Sequence, residues 1–517
     1  MIKLTVDPHV LISLQQAFPR PLRSAARALA KYLAVVEGLI FDAVQCGLLP
    51  EQRKLKLFAI PLHELANRGG RIGPGKLRLH KWLKDNKLEI VQTVEKGNKF
   101  SGEYSLVKLS KLVTISGQVA VKSGQFNEIK SDNELDSYLT GNEADNLSVF
   151  KHLYPDIDPT PLDTKAGVFD FAPVDIESLK AFIVWLTERA HIGANDKRAQ
   201  SLIHAKTILA VACVTGGVYP QRIKQSPFGR TYYEGVSVQN VHKELRRAML
   251  GNCWEYDMRS SVVSWKMGFA KQLLRGAGLP PDVRKQFPAT TLYLEDKADF
   301  MSTVRYFTFE GNTSLTPEFQ LTLVKQALTA ISFGAKILAK GWTDSFGNWK
   351  NPALVEILQN TSERNRFLAD PTVKAFTAEQ KALDHYIFKL VKQQVPDLLD
   401  LGIVKTLSGR VSKSKVISYL YQHAETEAID FILACAEQYG HKPIARVHDA
   451  IFLRNRLGID VKSEIEFALQ QRTGNPYWYL TPKLLKRYNS ISIDQAVEDQ
   501  LHRQRIADEE LLATNYF

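Results

Sequence analysis

The chain has 517 residues, 44% hydrophobic and 24% charged, with a formal net charge of +12 and a pI near 9.2. That composition excludes a disordered chain, and no run approaches the roughly 18 apolar residues of a membrane span. The length exceeds one ordinary domain, and the modest excess of base favours a polyanionic partner.

Cys46, Cys213, Cys253 and Cys435 are scattered, with no CxxC pair. This pattern argues for a reducing compartment and against a zinc site. Asp7 and Pro8 interrupt any signal-like core at the N-terminus, so secretion is not expected and a cytoplasmic protein is.

Taken in chain order, residues 1–58 read as mostly helical, "RSAARALAKYLAVVEGLIFDAV" being the clearest amphipathic run. Residues 60–109 read as a short helix, a Gly-rich turn, a second helix from about Gly75 to Asn86, and two strands joined by "EKGNKFSG". Helix–turn–helix followed by a hairpin is the outline of a winged-helix module, whose second helix enters a DNA groove. Arg71, Lys76, Arg78, Lys81 and Lys84 crowd that helix and its approach, and Lys96 and Lys99 flank the hairpin tip. The module is therefore expected to bind DNA, with docking of a replication or transcription protein as the alternative.

Residues 121–168 turn acidic, polar and Pro-containing, as a linker does. From about residue 170 the chain becomes densely helical, then alternates helical and strand-like segments.

Four segments beyond residue 225 carry chemistry. In "SPFGRTYYEGVSVQN", Gly229-Arg230 marks a tight turn presenting a guanidinium, with Gln239-Asn240 nine and ten residues on. In "CWEYDMRSSVVSWKMGF" a strand ends in Asp257 just before a helix. In "LTLVKQALTAISFGAK", Lys325, Thr329 and Phe333 are spaced by four and share a helical face, with Gly334 next to the ring. The fourth, "TLSGRVSKSKVISYLYQHAETEAIDFILACAEQYG", is a basic turn and a helix carrying Gln422, and it leads into "ARVHDAIFL". There His448 and Asp449 stand between two apolar runs, where a hairpin turns.

In that order the segments resemble the polymerase domain of family A DNA polymerases, and more distantly the single-subunit RNA polymerases of phage and mitochondria. Arg230 with Gln239-Asn240 matches the family's glycine–arginine turn, Asp257 its motif A, Lys325 with Phe333-Gly334 its fingers helix, Gln422 the glutamine before motif C, and Val447-His448-Asp449 motif C itself. The resemblance covers roughly residues 170–517. It implies an α+β right-hand fold of palm, fingers and thumb, with thumb-like helices at about 169–225 and palm and fingers at about 226–517. An N-terminal helical and winged-helix-like domain, residues 1–120, precedes it.

Nucleotidyl transfer of this kind uses two divalent ions about 3.5–4 Å apart. Magnesium takes oxygen ligands, so two aspartates distant in sequence must converge. The resemblance assigns the ions (Mg2+, with Mn2+ as an alternative) to Asp257, Asp449 and the Met258 carbonyl. It assigns the triphosphate to Lys325, the nucleotide to Thr329, Phe333, Gly334 and Val262, and the primer–template to Arg230, Gln239, Asn240, Gln422 and His448.

The chain departs from the family at four positions. Leu321 stands where the family has a second triphosphate-binding Arg, Phe333 where it has Tyr, Val262 where it has the Glu that excludes a ribose hydroxyl, and Ala450 where a second carboxylate follows motif C. No paired-carboxylate exonuclease motif occurs in residues 1–168. The expectation is a compact DNA-directed DNA polymerase without proofreading, serving phage or plasmid replication. It would act on a DNA template, a primer or nascent strand and nucleoside triphosphates, with no membrane. The alternatives are a DNA-directed single-subunit RNA polymerase or primase-like enzyme, and a non-enzymatic replication initiator.

Overall fold

A computed structural model of the chain describes residues 2–19, 22–45, 55–73, 77–96, 104–122, 125–129, 146–159, 162, 168–189, 197–343, 349–406 and 409–488. It is a mixed α+β protein whose sheets are small and antiparallel. None of its described helices is long and apolar enough to cross a membrane. The described residues divide into two compact units, one formed by 2–222, 235–251 and 486–488, the other by 223–234 and 252–485. The helices at 169–222, expected to open the polymerase domain, thus belong to the first unit.

In the first unit the chain opens with a strand, Ile2–Val6, rather than a helix, paired with Val113–Lys122. The amphipathic run forms the helix Leu22–Gln45, which buries Leu29, Tyr32, Val36 and Ile40 at helical spacing. Phe58–Ile60, Ser105–Leu109 and Val91–Glu95 form a three-stranded sheet in that spatial order. The basic helix is shorter than expected, Leu79–Asp85, because Leu77–Arg78 pair as a strand with Arg71–Ile72. It buries Leu79, Trp82 and Leu83 and leaves Lys81 and Lys84 exposed, as is Arg78 at its N-cap. Lys76 and Lys99 lie outside the described residues.

The expected linker is partly built into this unit. Its helix Asn146–Leu153 buries Val149 and Phe150, and Tyr154 and Ile157 follow them inward. Tyr154 packs on Phe150, Phe169 and Tyr219, and Asp156 pairs with Arg222 at 2.5 Å. Two buried aromatics outweigh the acidic composition that suggested a solvated connection.

The second unit is organised around a four-stranded antiparallel sheet. Its order is Pro443–Val447, Ala450–Leu453, Cys253–Met258, Leu480–Leu485. The central strand, Cys253–Met258, turns Cys253, Tyr256 and Met258 inward, and Tyr256 Oη accepts a hydrogen bond from the Leu457 amide at 2.6 Å. Helices pack against this sheet in one continuous core that includes Tyr256, Val263, Leu328, Phe376, Ile429 and Ile451.

Candidate active site

Asp257 lies on the central strand opposite Ala450 on one side and Thr481 on the other. The neighbouring hairpin turns at His448-Asp449, and His448 adopts the left-handed conformation, φ +50°, that this tight turn demands. The Met258 amide donates to the Asp449 carbonyl at 2.8 Å, so both aspartates emerge at the same end of the sheet. His448 packs edge-on against Tyr232, ring centroids 5.7 Å apart.

The two carboxylates are close enough to feel each other. The Asp257 carboxyl is pushed up to about 7, first by the protein packed around it, then by Asp449 and Glu255, while Lys325 and Lys297 pull the other way. The residue's edge is open to solvent although protein fills much of the space around its carboxyl, and both conditions suit a site that a charged ligand enters. Among the described residues, no group of three or more His, Cys, Asp or Glu converges as a ready-made metal site. The acidic oxygen donors at this end of the sheet are thus the carboxylates of Asp257 and Asp449. A carboxylate whose proton affinity is raised by a neighbouring carboxylate fits a hard divalent cation, which takes oxygen ligands and removes the repulsion.

The lysine helix, Pro317–Ser332, starts at Thr316, whose hydroxyl caps the Phe319 amide at 3.3 Å, and has proline in its first turn. Leu323, Val324, Ala327, Leu328 and Ile331 face the core. The opposite face leaves Lys325 exposed and Thr329 half-buried, as the spacing by four requires. Phe333 caps the helix C-terminus rather than lying within it, 36% exposed, with its ring edge-on to Tyr421 at 5.5 Å. Gly334 turns the chain at φ +78°. Beneath this turn the buried Lys266 donates to the Ser332 carbonyl and pairs with Asp384, both at 2.5 Å. The helix end is thereby tied to the helix that follows Asp257.

Arg230 sits on a hairpin turn beside Gly229, which takes φ +89° with the His423 ring where a Cβ would stand. Its guanidinium makes a two-pronged ion pair with the buried Glu425, Nη2 to Oε1 at 2.7 Å and Nε to Oε2, and lies 5.6 Å from the centre of the Tyr421 ring. It is therefore largely committed inside the protein rather than presented to a ligand. Gln422, half-buried on the helix Lys413–Gln438, donates to Ser418 Oγ at 2.9 Å.

Of three further expected site residues, one is buried and two fall within the first unit. Val262 is buried in the core at 7% exposure, so it does not line an accessible sugar pocket. Gln239 and Asn240 belong to the first unit, where the Asn240 side chain braces its own turn by accepting from the Ser237 amide at 2.8 Å.

Sequence reasoning missed Lys297, Ser261, Tyr421 and Glu425. Lys297 donates to Ser260 Oγ at 3.0 Å, lies over the Tyr293 ring and acts on the Asp257 and Asp449 carboxylates. No spacing marks it, because it reaches the site from a separate helix. Tyr421 and Glu425 are spaced by four on one helix face, a signal that was available but reads equally as core packing.

No protein-family model matches the chain, and no curated protein shows a significant match to it.

Proposed function

We propose that the second unit is the catalytic domain of a template-directed nucleic-acid polymerase of the right-hand type, extending a DNA primer on a DNA template. The observation that carries this reading is the convergence of Asp257 and Asp449, from segments nearly two hundred residues apart, at one end of an antiparallel sheet and within the electrostatic reach of two lysines. In the reaction the primer 3′-oxygen bonds to the α-phosphorus of a nucleoside triphosphate as the bond to the bridging oxygen breaks and pyrophosphate leaves.

Asp257, Asp449 and the Met258 carbonyl would hold the divalent ions. When bound, those ions supply positive charge at the attacking oxygen and at the departing pyrophosphate. Lys325 and Lys297 present ammonium groups to the triphosphate and offset the charge that develops on the leaving group. Lys297 makes up for Leu321, which offers no charge one turn before Lys325 on the half-buried side of the helix. Phe333 offers an exposed ring on which a base can stack. Arg230 and Gln422 act from inside the protein, as their committed side chains require.

A second reading, synthesis of RNA, is favoured by one observation: position 262 carries a buried aliphatic side chain and so provides no carboxylate against a ribose hydroxyl, and the carboxylate usual in the DNA enzymes directly after motif C is replaced by the buried Ala450. The exposed basic helix Leu79–Asp85 in the first unit fits a nucleic-acid contact, with a protein partner as its alternative.

The experiment is extension of a labelled primer with Mg2+, supplying dNTPs and NTPs separately. Asp257→Ala and Asp449→Ala should each abolish extension while leaving primer–template affinity within about threefold. Extension by Asp449→Ala at the wild-type rate would remove the assignment.

A further inference from the structure

Asp449 is the end of a chain of buried side-chain contacts that nothing in the proposed chemistry uses. Ser261 Oγ donates to Asp449 Oδ2 at 2.6 Å. Tyr421 Oη lies 2.8 Å from Ser261 Oγ and also contacts Glu425 Oε1. Glu425 in turn holds the two-pronged pair with Arg230. Tyr421 and Glu425 are each 1% exposed and Ser261 is 6% exposed, so water does not compete for these bonds.

The hydrogens available make this chain directional. Ser261 has one hydroxyl hydrogen, which goes to the Asp449 carboxylate, so towards Tyr421 its oxygen can act only as an acceptor. The phenol also has one hydrogen, facing two acceptors, Ser261 and Glu425. Which acceptor receives it depends on how strongly Glu425 attracts it. Arg230 weakens the pull of Glu425 with two charge-assisted bonds, so the phenol hydrogen is shared between Glu425, which is the nearer acceptor, and Ser261 rather than taken wholly by the carboxylate. Without Arg230, a buried and uncompensated carboxylate would take the phenol hydrogen, and Ser261 would lose the bond that orients it.

We propose that Arg230, Glu425, Tyr421 and Ser261 form a positioning relay that orients the Asp449 carboxylate for its cation, and that Arg230 acts on the site through this relay rather than by gripping nucleic acid. The inference rests on the metal role of Asp449 argued above. Arg230, Glu425, Tyr421 and Ser261 are positioning residues, since none of them reaches a reacting atom except through Asp449. Carboxylates that hold a metal are themselves held by outer hydrogen bonds, and loss of such a bond weakens metal affinity by about 10- to 100-fold.

The test measures Mn2+ binding to the full chain by electron paramagnetic resonance of the free ion, with circular dichroism reporting the fold. Tyr421→Phe and Ser261→Ala should each weaken Mn2+ binding about tenfold. Arg230→Ala should do the same, and adding Glu425→Gln to Arg230→Ala should recover affinity to within about threefold of wild type, because the uncompensated charge is gone. A residue that merely gripped nucleic acid would show no such rescue and no change in Mn2+ affinity. Unchanged Mn2+ binding in folded Tyr421→Phe and Ser261→Ala would overturn the relay and leave the polymerase reading standing. Wild-type protein that binds no Mn2+, or Asp449→Ala that binds it equally well, would instead overturn the metal site and the relay with it.

Discussion

Ser261 and Asp449, 188 residues apart, share a hydrogen bond of 2.6 Å from hydroxyl to carboxylate. The backbone is joined as well, since the Met258 amide donates to the Asp449 carbonyl. The hairpin that carries one aspartate is therefore fastened, by main chain and side chain, to the segment that carries the other. The carboxylates are pre-positioned as a pair before any ligand arrives, which lowers the ordering that binding would otherwise require.

That pairing predicts how metal binding depends on pH. The Asp257 carboxyl, ordinarily near 3.8, is raised to about 7 in the folded chain. Between those values the folded state binds more protons than the unfolded one, so the metal-free protein loses stability as pH rises through that window. Above pH 7 the destabilisation is fully present and a cation relieves it; at lower pH the cation must displace a proton. Mg2+ should therefore raise the melting temperature more at pH 8 than at pH 6. Asp257→Asn should remove that difference. Equal Mg2+ stabilisation at both pH values would contradict the coupling.

Lys297 should matter to the triphosphate rather than to the fold. Its ammonium is half-buried, held by Ser260 and the Tyr293 ring, and directed by its charge toward the aspartates. Lys297→Ala is expected to raise KM for the nucleoside triphosphate about tenfold, equivalent to about 1.4 kcal/mol. Primer–template affinity should be unchanged, and Lys297→Arg should retain more activity than Lys297→Ala. Single-turnover incorporation at varied triphosphate concentration measures this, and an unaltered KM would remove Lys297 from the site.

Val262 supports a prediction about sugar selection that the structure has reshaped. A glutamate at this position would place a carboxylate in the core, so Val262→Glu should destabilise the protein by about 3 kcal/mol. Thermal denaturation should show a clear drop. Sugar selectivity is best read on the wild-type enzyme, by incorporation of dNTP against NTP opposite one template base. Val262 itself contributes no exclusion of a ribose hydroxyl, so discrimination should stay below about a thousandfold, roughly 4 kcal/mol. A larger ratio would show that another side chain excludes the hydroxyl.

The basic helix of the first unit offers exposed Arg78, Lys81 and Lys84 over a buried Leu79, Trp82 and Leu83. If these cations lie on phosphates, neutralising all three should weaken DNA binding and lower the steepness of its salt dependence by about three contacts' worth. A salt dependence identical to wild type would reassign the helix to protein contact.

Local pattern made part of this molecule legible. Alternation and turn chemistry marked the hairpin at His448-Asp449 and the strand carrying Asp257, and spacing by four placed Lys325 and Thr329 on the face away from Leu323 and Leu328. These features depend on residues a few positions apart, whose periodicity the backbone geometry dictates. What tertiary structure alone decided is which side chains meet. The guanidinium of Arg230 finds Glu425 across 195 residues, Ser261 finds Asp449, Lys297 brings its charge within electrostatic range of the carboxylates from a separate helix, and Val262 turns into the core. A helix period leaves open which neighbour a face will meet, and the same arginine reads as a ligand contact or an internal ion pair until the packing of distant elements settles it.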